Sequence, residues 1–493
     1  MANVTPNAFA AGILLSGVLL VSVALRWLYN IFLHPLRRFP GPIAHRASVL
    51  PVALKVALGR WTTELLPLTE KFGPVVRVAP NELVFTDPDA WKDIYGYQNG
   101  ALAKGEEFPK APSFYRNRGV PPSIVSETRE NHALLRRQMS PGFSDRSLRG
   151  QEAIVSGYAD LLVGRLRERC GGPAYSYGDR TKTDESGSPL LAAGPDRPSR
   201  AAVDMRLWFL YVTFDIIGDL AFGESFGCLE NGRATGRVSG IERGLRAQGL
   251  NYALKLLGME RLVKWVRRMA LKVERPDLIG GLLKKQDEWE LPMKTLMINS
   301  MVLIVAGSDT AATLLSGLLY LLLRNPGCLG KITHEIRSAF NSEDEISFSS
   351  VQYLPYMFAC IREALRCYPP VPGSTLRVVP KGGANIAGHF VPEGTTVSVA
   401  QWPTYHSTRN FSQPFSFQPE RFLQPEKYPN DRPEAIQPFG IGYLAYAEVK
   451  LILAKILYNF NMELVDPDED WMDQKAFFIW TKPPLNVYLT PAR

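Results

Sequence analysis

Residues Leu303 to Leu323 read LIVAGSDTAATLLSGLLYLLL. Apart from a polar interruption at Gly307, Ser308, Asp309 and Thr310, the stretch is apolar and long enough for about six helical turns. A helix that is apolar all round must be covered by other elements or lie in lipid. An acid inside such a helix is costly to bury unless it is paired or hydrated. Gly307 removes a side chain, so a flat group can approach the helix there. Thr310 can donate or accept one hydrogen bond, and Asp309 can relay protons through water. The rival reading of the same residues is a plain core helix with a polar surface patch.

A second apolar run lies near the start. Phe9 to Leu25, FAAGILLSGVLLVSVAL, carries no charge. At 1.5 Å per residue it covers about 25 Å, slightly less than a ~30 Å hydrocarbon core. Arg26 can snorkel, and Trp27, Leu28 and Tyr29 extend the run into the interface. A cleaved signal peptide needs a positive segment ahead of the apolar run, and no Lys or Arg precedes Arg26. A retained anchor over residues 1–33 is expected, ahead of a signal peptide or a core helix. Arg26, Arg37 and Arg38 come after the run, which places the body on the cytosolic side.

HPLRRFPGP, ending at Pro42, cannot continue a helix and reads as a stiff hinge between anchor and body. Val75 to Asp87 alternates around a turn and predicts a short hairpin. Helical patterns run from about Asn131, then from Trp208 to about Tyr368. Between them Gly171 to Arg200 is rich in Gly, Ser, Pro and charge and reads as a disordered surface insertion over 171–200. A β-like segment, one long helix and a strand-like tail, PLNVYLTPA, close the chain. The body, 34–493, reads as one domain.

The net charge of +8 is spread without long runs or interleaved aromatics, which argues against nucleic acid. The five cysteines, Cys170, Cys228, Cys328, Cys360 and Cys367, are odd in number and fall in no CxxC or CxxH spacing. They predict buried thiols rather than a disulfide scaffold or a zinc site.

Three further constellations stand out. Glu363 and Arg366 in REALRCYPP are three apart, on one helix face, and can form a charge-assisted pair. Arg421 in FSFQPERFL can join them in a partly buried cluster. His132 and Arg136 are four apart on a helix and suit an anionic group such as a carboxylate. Taken singly, each is also an ordinary solvated pair or basic face.

Their order is informative. HPLRRFPGP, HxxxR, AGSDT, ExxR, PERF and PFGIG before a helix occur in the order found in the cytochrome P450 (haem-thiolate monooxygenase) family, which the chain resembles over nearly its whole length. FDIIGDLAFGESFGCLE and YHSTRNFSQPFSFQPERFL resemble fungal secondary-metabolism members of the isotrichodermin-hydroxylase-like kind. The resemblance implies a mainly α fold with small β-sheets behind one N-terminal transmembrane helix. It implies haem, a membrane-bound NADPH-cytochrome P450 reductase as electron donor, a small apolar substrate such as a terpenoid or polyketide, a monomer, and the endoplasmic reticulum membrane. Ala306, Gly307, Asp309 and Thr310 match the oxygen-activation motif, with Asp309 and Thr310 delivering protons. Glu363, Arg366 and Arg421 match the ion-pair cluster that braces the haem-binding core. His132, where many relatives have Trp, and Arg136 match one propionate contact, and Arg377 a second. Phe439 and Gly442 match the start of the haem-binding loop.

In that loop the chain departs from its family. The family pattern is FxxGxxxCxGxxLAxxE. Here Phe439-Gly440-Ile441-Gly442 runs at once into Tyr443-Leu444-Ala445-Tyr446-Ala447-Glu448. Gly442 to Leu444 spans two positions where the pattern requires nine, so seven residues, the cysteine among them, are absent from the shortened loop 439–448. The axial thiolate pushes electron density onto iron and favours O–O cleavage. Three origins compete: a misplaced intron boundary, a true deletion in a haem-free paralogue, and a non-catalytic protein that uses the fold to bind an apolar ligand or partner.

Overall fold

The computed structural model describes residues 6–96, 107–116, 120–139, 145–170, 202–233, 236–259, 293–438 and 444–492. The insertion at 171–200 and loop residues 439–443, with Phe439 and Gly442, lie outside the described residues. The chain divides into two compact units: residues 1–114, 249–269 and 374–404 form the first, and residues 115–248, 270–373 and 405–493 the second.

The first unit begins with helix α1, Pro6–Leu28. Every residue from Gly12 to Tyr29 is exposed, with no protein covering it. The chain leaves this helix stitched to the next segment. Buried Asn30 donates to the Ala47 carbonyl at 2.8 Å, and Arg46 donates to that of Ile31 at 2.8 Å. The His34 ring accepts the Leu36 N–H and so starts the turn Pro35–Arg38. The hinge then lies on strand Val75–Ala79: the Arg77 N–H donates to Pro40 O at 2.7 Å. Gly41 is required by this approach, since a Cβ there would stand 2.2 Å from Arg77 O.

The predicted hairpin is present, with Val75–Ala79 antiparallel to Glu82–Phe85. Thr396–Val399 adds in parallel to the second strand, and Arg377–Val378 pairs antiparallel with Thr396–Val399 to complete a four-stranded sheet. Leu36, Phe39, Leu83, Phe85 and Val397 pack together in its core. Helices α2, Leu50–Ala57, and α3, Trp61–Phe72, precede the sheet.

The second unit holds α4 (Arg129–Met139), α5 (Asp145–Cys170), α6 (Met205–Phe222), α7 (Gly236–Leu256), α8 (Met293–Arg324), α9 (Pro326–Ala339), α10 (Pro355–Cys367) and α11 (Leu444–Asn459). The last turns of α7, from residue 249, belong to the first unit. A three-stranded sheet joins Ala202–Asp204, Asn486–Pro491 and Phe460–Leu464. The apolar stretch Leu303 to Leu323 lies in α8. Every residue from Ala311 to Leu322 is buried, against α6, α10 and α11 among others. Protein, not lipid, covers this helix. At Gly317 a Cβ would lie 2.2 Å from the Tyr368 ring, so the glycine admits that ring against the helix backbone.

Candidate functional site

The acid in α8 has a partner. Both carboxylate oxygens of Asp309 accept from Lys482 Nζ, at 3.0 and 3.2 Å. Lys482 also donates to Thr313 Oγ1 at 2.6 Å, and the Thr313 hydroxyl donates to the Asp309 carbonyl at 2.6 Å. Asp309 is 4% exposed and Lys482 8%, so the charges neutralise each other out of water. Lys482 comes two residues after Trp480, whose indole donates to Pro369 O at 2.8 Å and stacks on Tyr368 with centroids 5.2 Å apart. The requirement read from the sequence, pairing or hydration, is met by pairing.

Thr310 lies one residue further, about 100° round the helix. It is half-buried, and its hydroxyl donates to Ala306 O at 2.6 Å. Ala306 is exposed, so these two residues, four apart, share a stripe of α8 that its neighbours leave open. Asp309 faces its buried lysine instead, and the acid and the alcohol do not stand side by side. Gly307 is half-buried, and the room beside it is taken: a Cβ would meet Ile217 Cδ1 of α6 at 2.8 Å.

Glu363, Arg366 and Arg421 do come together. Arg366 grips Glu363 with two parallel bonds, Nε to Oε2 at 2.9 Å and Nη2 to Oε1 at 2.7 Å. Arg421 Nε donates to Glu363 at 3.1 Å, and the Gln418 N–H at 2.9 Å. Arg366 spends its other donors on the carbonyls of Tyr405, Pro414 and Ser416 at 3.0, 2.6 and 3.0 Å. Arg421 also pairs with Asp431 and donates to Ser412 O at 3.2 Å. Glu363 and Arg366 are fully buried and Arg421 nearly so, more than the partial burial expected from sequence. A charge cluster is tolerated at this depth only because its remaining donors and acceptors are met.

The remaining predicted residues lie on other elements. On α4, His132 is half-buried and Arg136 exposed. Arg377 belongs to the first unit, where its guanidinium lies 5.4 Å from the centre of the Tyr95 ring and donates to Leu376 O at 3.4 Å.

Whether these residues fit an iron porphyrin turns on donor chemistry. The segment in which the family carries its iron ligand supplies no donor for one. Gln437 to Leu444 contains no Cys, His or Met. Cys360 and Cys367 lie buried on α10; burial pushes the Cys360 thiol well up and that of Cys367 to about 12, and Cys367 Sγ already accepts from Arg366 at 2.9 Å. The Tyr446 ring leans on Phe358 with centroids 6.1 Å apart, and burial raises its phenol, the opposite of what a phenolate ligand needs. Glu448, in the second turn of α11, is 5% exposed, and its Oε1 has no hydrogen-bond partner. Burial pushes its carboxyl up to about 8. The residues present therefore do not fit a haem-thiolate centre. Two features escaped sequence reasoning: Lys482, which no local pattern marks, and unpartnered Glu448, whose motif position is legible but whose isolation is not.

Comparison with known proteins bears on the same scaffold. Residues 258–490 match the family model described as Cytochrome P450. The chain is 42% identical to cytochrome P450 monooxygenase tpeC of Talaromyces stipitatus, covering 96% of this chain and 93% of that one. It is 39% identical to cytochrome P450 monooxygenase prhB of Penicillium brasilianum over 98% and 99% of the two chains. It is 36% identical to averantin hydroxylase of Dothistroma septosporum over 98% and 91%. With these relatives aligned end to end, and with the buried Glu363–Arg366–Arg421 cluster and the α8 stripe both formed, the chain belongs to the cytochrome P450 family of monooxygenases, whose cofactor is haem.

Proposed function

We propose that this protein is the scaffold of a monooxygenase that hydroxylates or epoxidises an apolar secondary metabolite, of terpenoid or polyketide class, and that oxygen insertion requires seven residues between Gly442 and Leu444 that the chain lacks. The observation that carries the reading is the Glu363–Arg366–Arg421 cluster: three ionised side chains kept in the core with their hydrogen bonds satisfied. The hydroxylase named among the relatives supports hydroxylation as the reaction. In this family haem supplies dioxygen activation. On this chain Thr310 presents one hydroxyl at the open stripe, Lys482 pairs with Asp309 of α8, and His132 and Arg136 of α4 offer hydrogen-bond donors to a carboxylate. The apolar helix α1 holds the protein in the endoplasmic reticulum membrane with the body cytosolic, as a monomer served by an NADPH-fed reductase.

Sequencing the transcript across the codons for Gly442 to Leu444 tests the origin of the gap. Seven additional codons that include a cysteine are expected. The 493-residue protein, purified, reduced and exposed to carbon monoxide, is expected to show no thiolate-type Soret band. A verified chain of this sequence that shows the band and hydroxylates substrate overturns the reading.

A further inference from the structure

Helix α11 begins at Leu444, where the seven absent residues would join, and Glu448 lies four residues in, about 6 Å along the axis. Its carboxyl is buried, and Oε1 is unpartnered. Leaving a buried acceptor unmade costs about 1–3 kcal/mol, so native chains seldom keep one without cause.

Among the described residues, three cations on and beside this helix are engaged elsewhere. Lys450 lies two residues beyond Glu448, about 200° round the helix, and its Nζ sits 4.7 Å from the centre of the Phe358 ring. Tyr446, four residues before Lys450, shares that other face and meets the same Phe358. Arg362 of α10 lies over Phe422 at 4.2 Å. Further along α11, Lys455 is engaged by Asp160 of α5. Lys450 therefore points to the opposite side of α11 from the acid, while Lys455, nearly two turns on and on the acid's own side, is taken by Asp160; Glu448 itself lies in the second turn after the break in the family pattern.

We propose that Glu448 is the acceptor for backbone N–H groups of the missing segment, so that the core around α11 is built for the longer loop. The proposal rests on the reading that the loop is seven residues short. Seven residues joined ahead of Leu444 can span up to about 24 Å when extended, ample to fold back over the first turns of the helix. They bring up to seven N–H donors, and a carboxylate that accepts two or three of these is held ionised. Such a segment removes the unpaired acceptor without altering any residue of the present core.

The test compares Glu448→Met in two full-length backgrounds: this chain, and the chain carrying seven residues inserted between Gly442 and Leu444 at the family spacing. A serine replaces the cysteine, so that no iron ligand forms and the readout is folding alone. In this chain the substitution removes an orphaned polar group and is expected to raise the urea midpoint. In the extended chain it removes the acceptor of new hydrogen bonds and is expected to lower the midpoint. An effect of the same sign in both backgrounds overturns the proposal. Failure of the extended chain to fold overturns it equally, because a core built for the longer loop must accept it. The transcript result concerns the origin of the gap and leaves this outcome unchanged, so the two readings fail separately.

Discussion

Lys482→Met leaves the Asp309 carboxylate 4% exposed and without a cation. Methionine keeps most of the length of the side chain, so the change is chiefly electrostatic. Lys482 supplies three bonds, two to Asp309 at 3.0 and 3.2 Å and one to Thr313 at 2.6 Å. Thr313 retains its bond to the Asp309 carbonyl, so only the carboxylate is stranded. Removing one partner of a buried pair costs about 3–5 kcal/mol, because the remaining charge stays out of water. Asp309→Asn strands the ammonium in turn, at a cost of similar order. The double variant strands neither charge and should cost at least about 2 kcal/mol less than the sum of the single changes. Urea unfolding of all four proteins, followed by tryptophan fluorescence, measures the cycle; Trp480 and Trp471 flank the Tyr368 ring and report on this region. Additive single effects, or a Lys482→Met protein within about 1 kcal/mol of the parent, would show that the pair is not the device that lets α8 carry an acid.

Glu363→Gln leaves two buried guanidiniums around a neutral acceptor and should lower stability by about 3–5 kcal/mol, read as a lower urea midpoint. Gly317→Ala ordinarily gains about 1 kcal/mol in a helix. Here the new methyl meets the Tyr368 ring at 2.2 Å, and that ring is held by Trp480 and by a 2.7 Å bond to Gln474, so a net loss of about 1–3 kcal/mol is expected from thermal unfolding. The Glu448 carboxyl, raised from 4.5 to about 8, keeps in the folded state a proton that the unfolded chain releases. Its contribution is therefore full below pH ~4.5 and declines as pH rises toward 8, by a few kcal/mol overall. Glu448→Met should flatten that part of the stability–pH curve, and an unchanged slope would count against the buried, unpaired assignment.

Local spacing carried part of this site and long-range contact carried the rest. Glu363 and Arg366 are three apart on α10, so their pairing is a result of helix geometry, and Arg421 was legible from its turn motif. The hairpin at Val75 was legible from its alternation about a turn, and the helix at Leu303 from an apolar run too long for a strand. Lys482 was not legible: it stands 173 residues from its partner in an irregular stretch, and nothing in its neighbours records the contact. Gly307 illustrates another limit. A glycine in a helix announces a close approach but not its partner, and here the approach is made by Ile217. The depth of the ion-pair cluster was likewise invisible, because burial depends on the carbonyls of Tyr405, Pro414 and Ser416, which no side-chain pattern encodes.

The junction after α1 has a mechanical consequence. Asn30, Arg46, Pro40 and Gly41 tie the end of the apolar helix to the strand at Arg77 through side-chain and backbone contacts with no slack between them. A helix so joined behaves as a strut and not as a leash. On the proposed membrane placement, its tilt would set the attitude at which the four-stranded sheet rides on the bilayer. Lengthening the linker by a few glycines would turn a fixed mount into a swivel while leaving every residue of the catalytic scaffold in place.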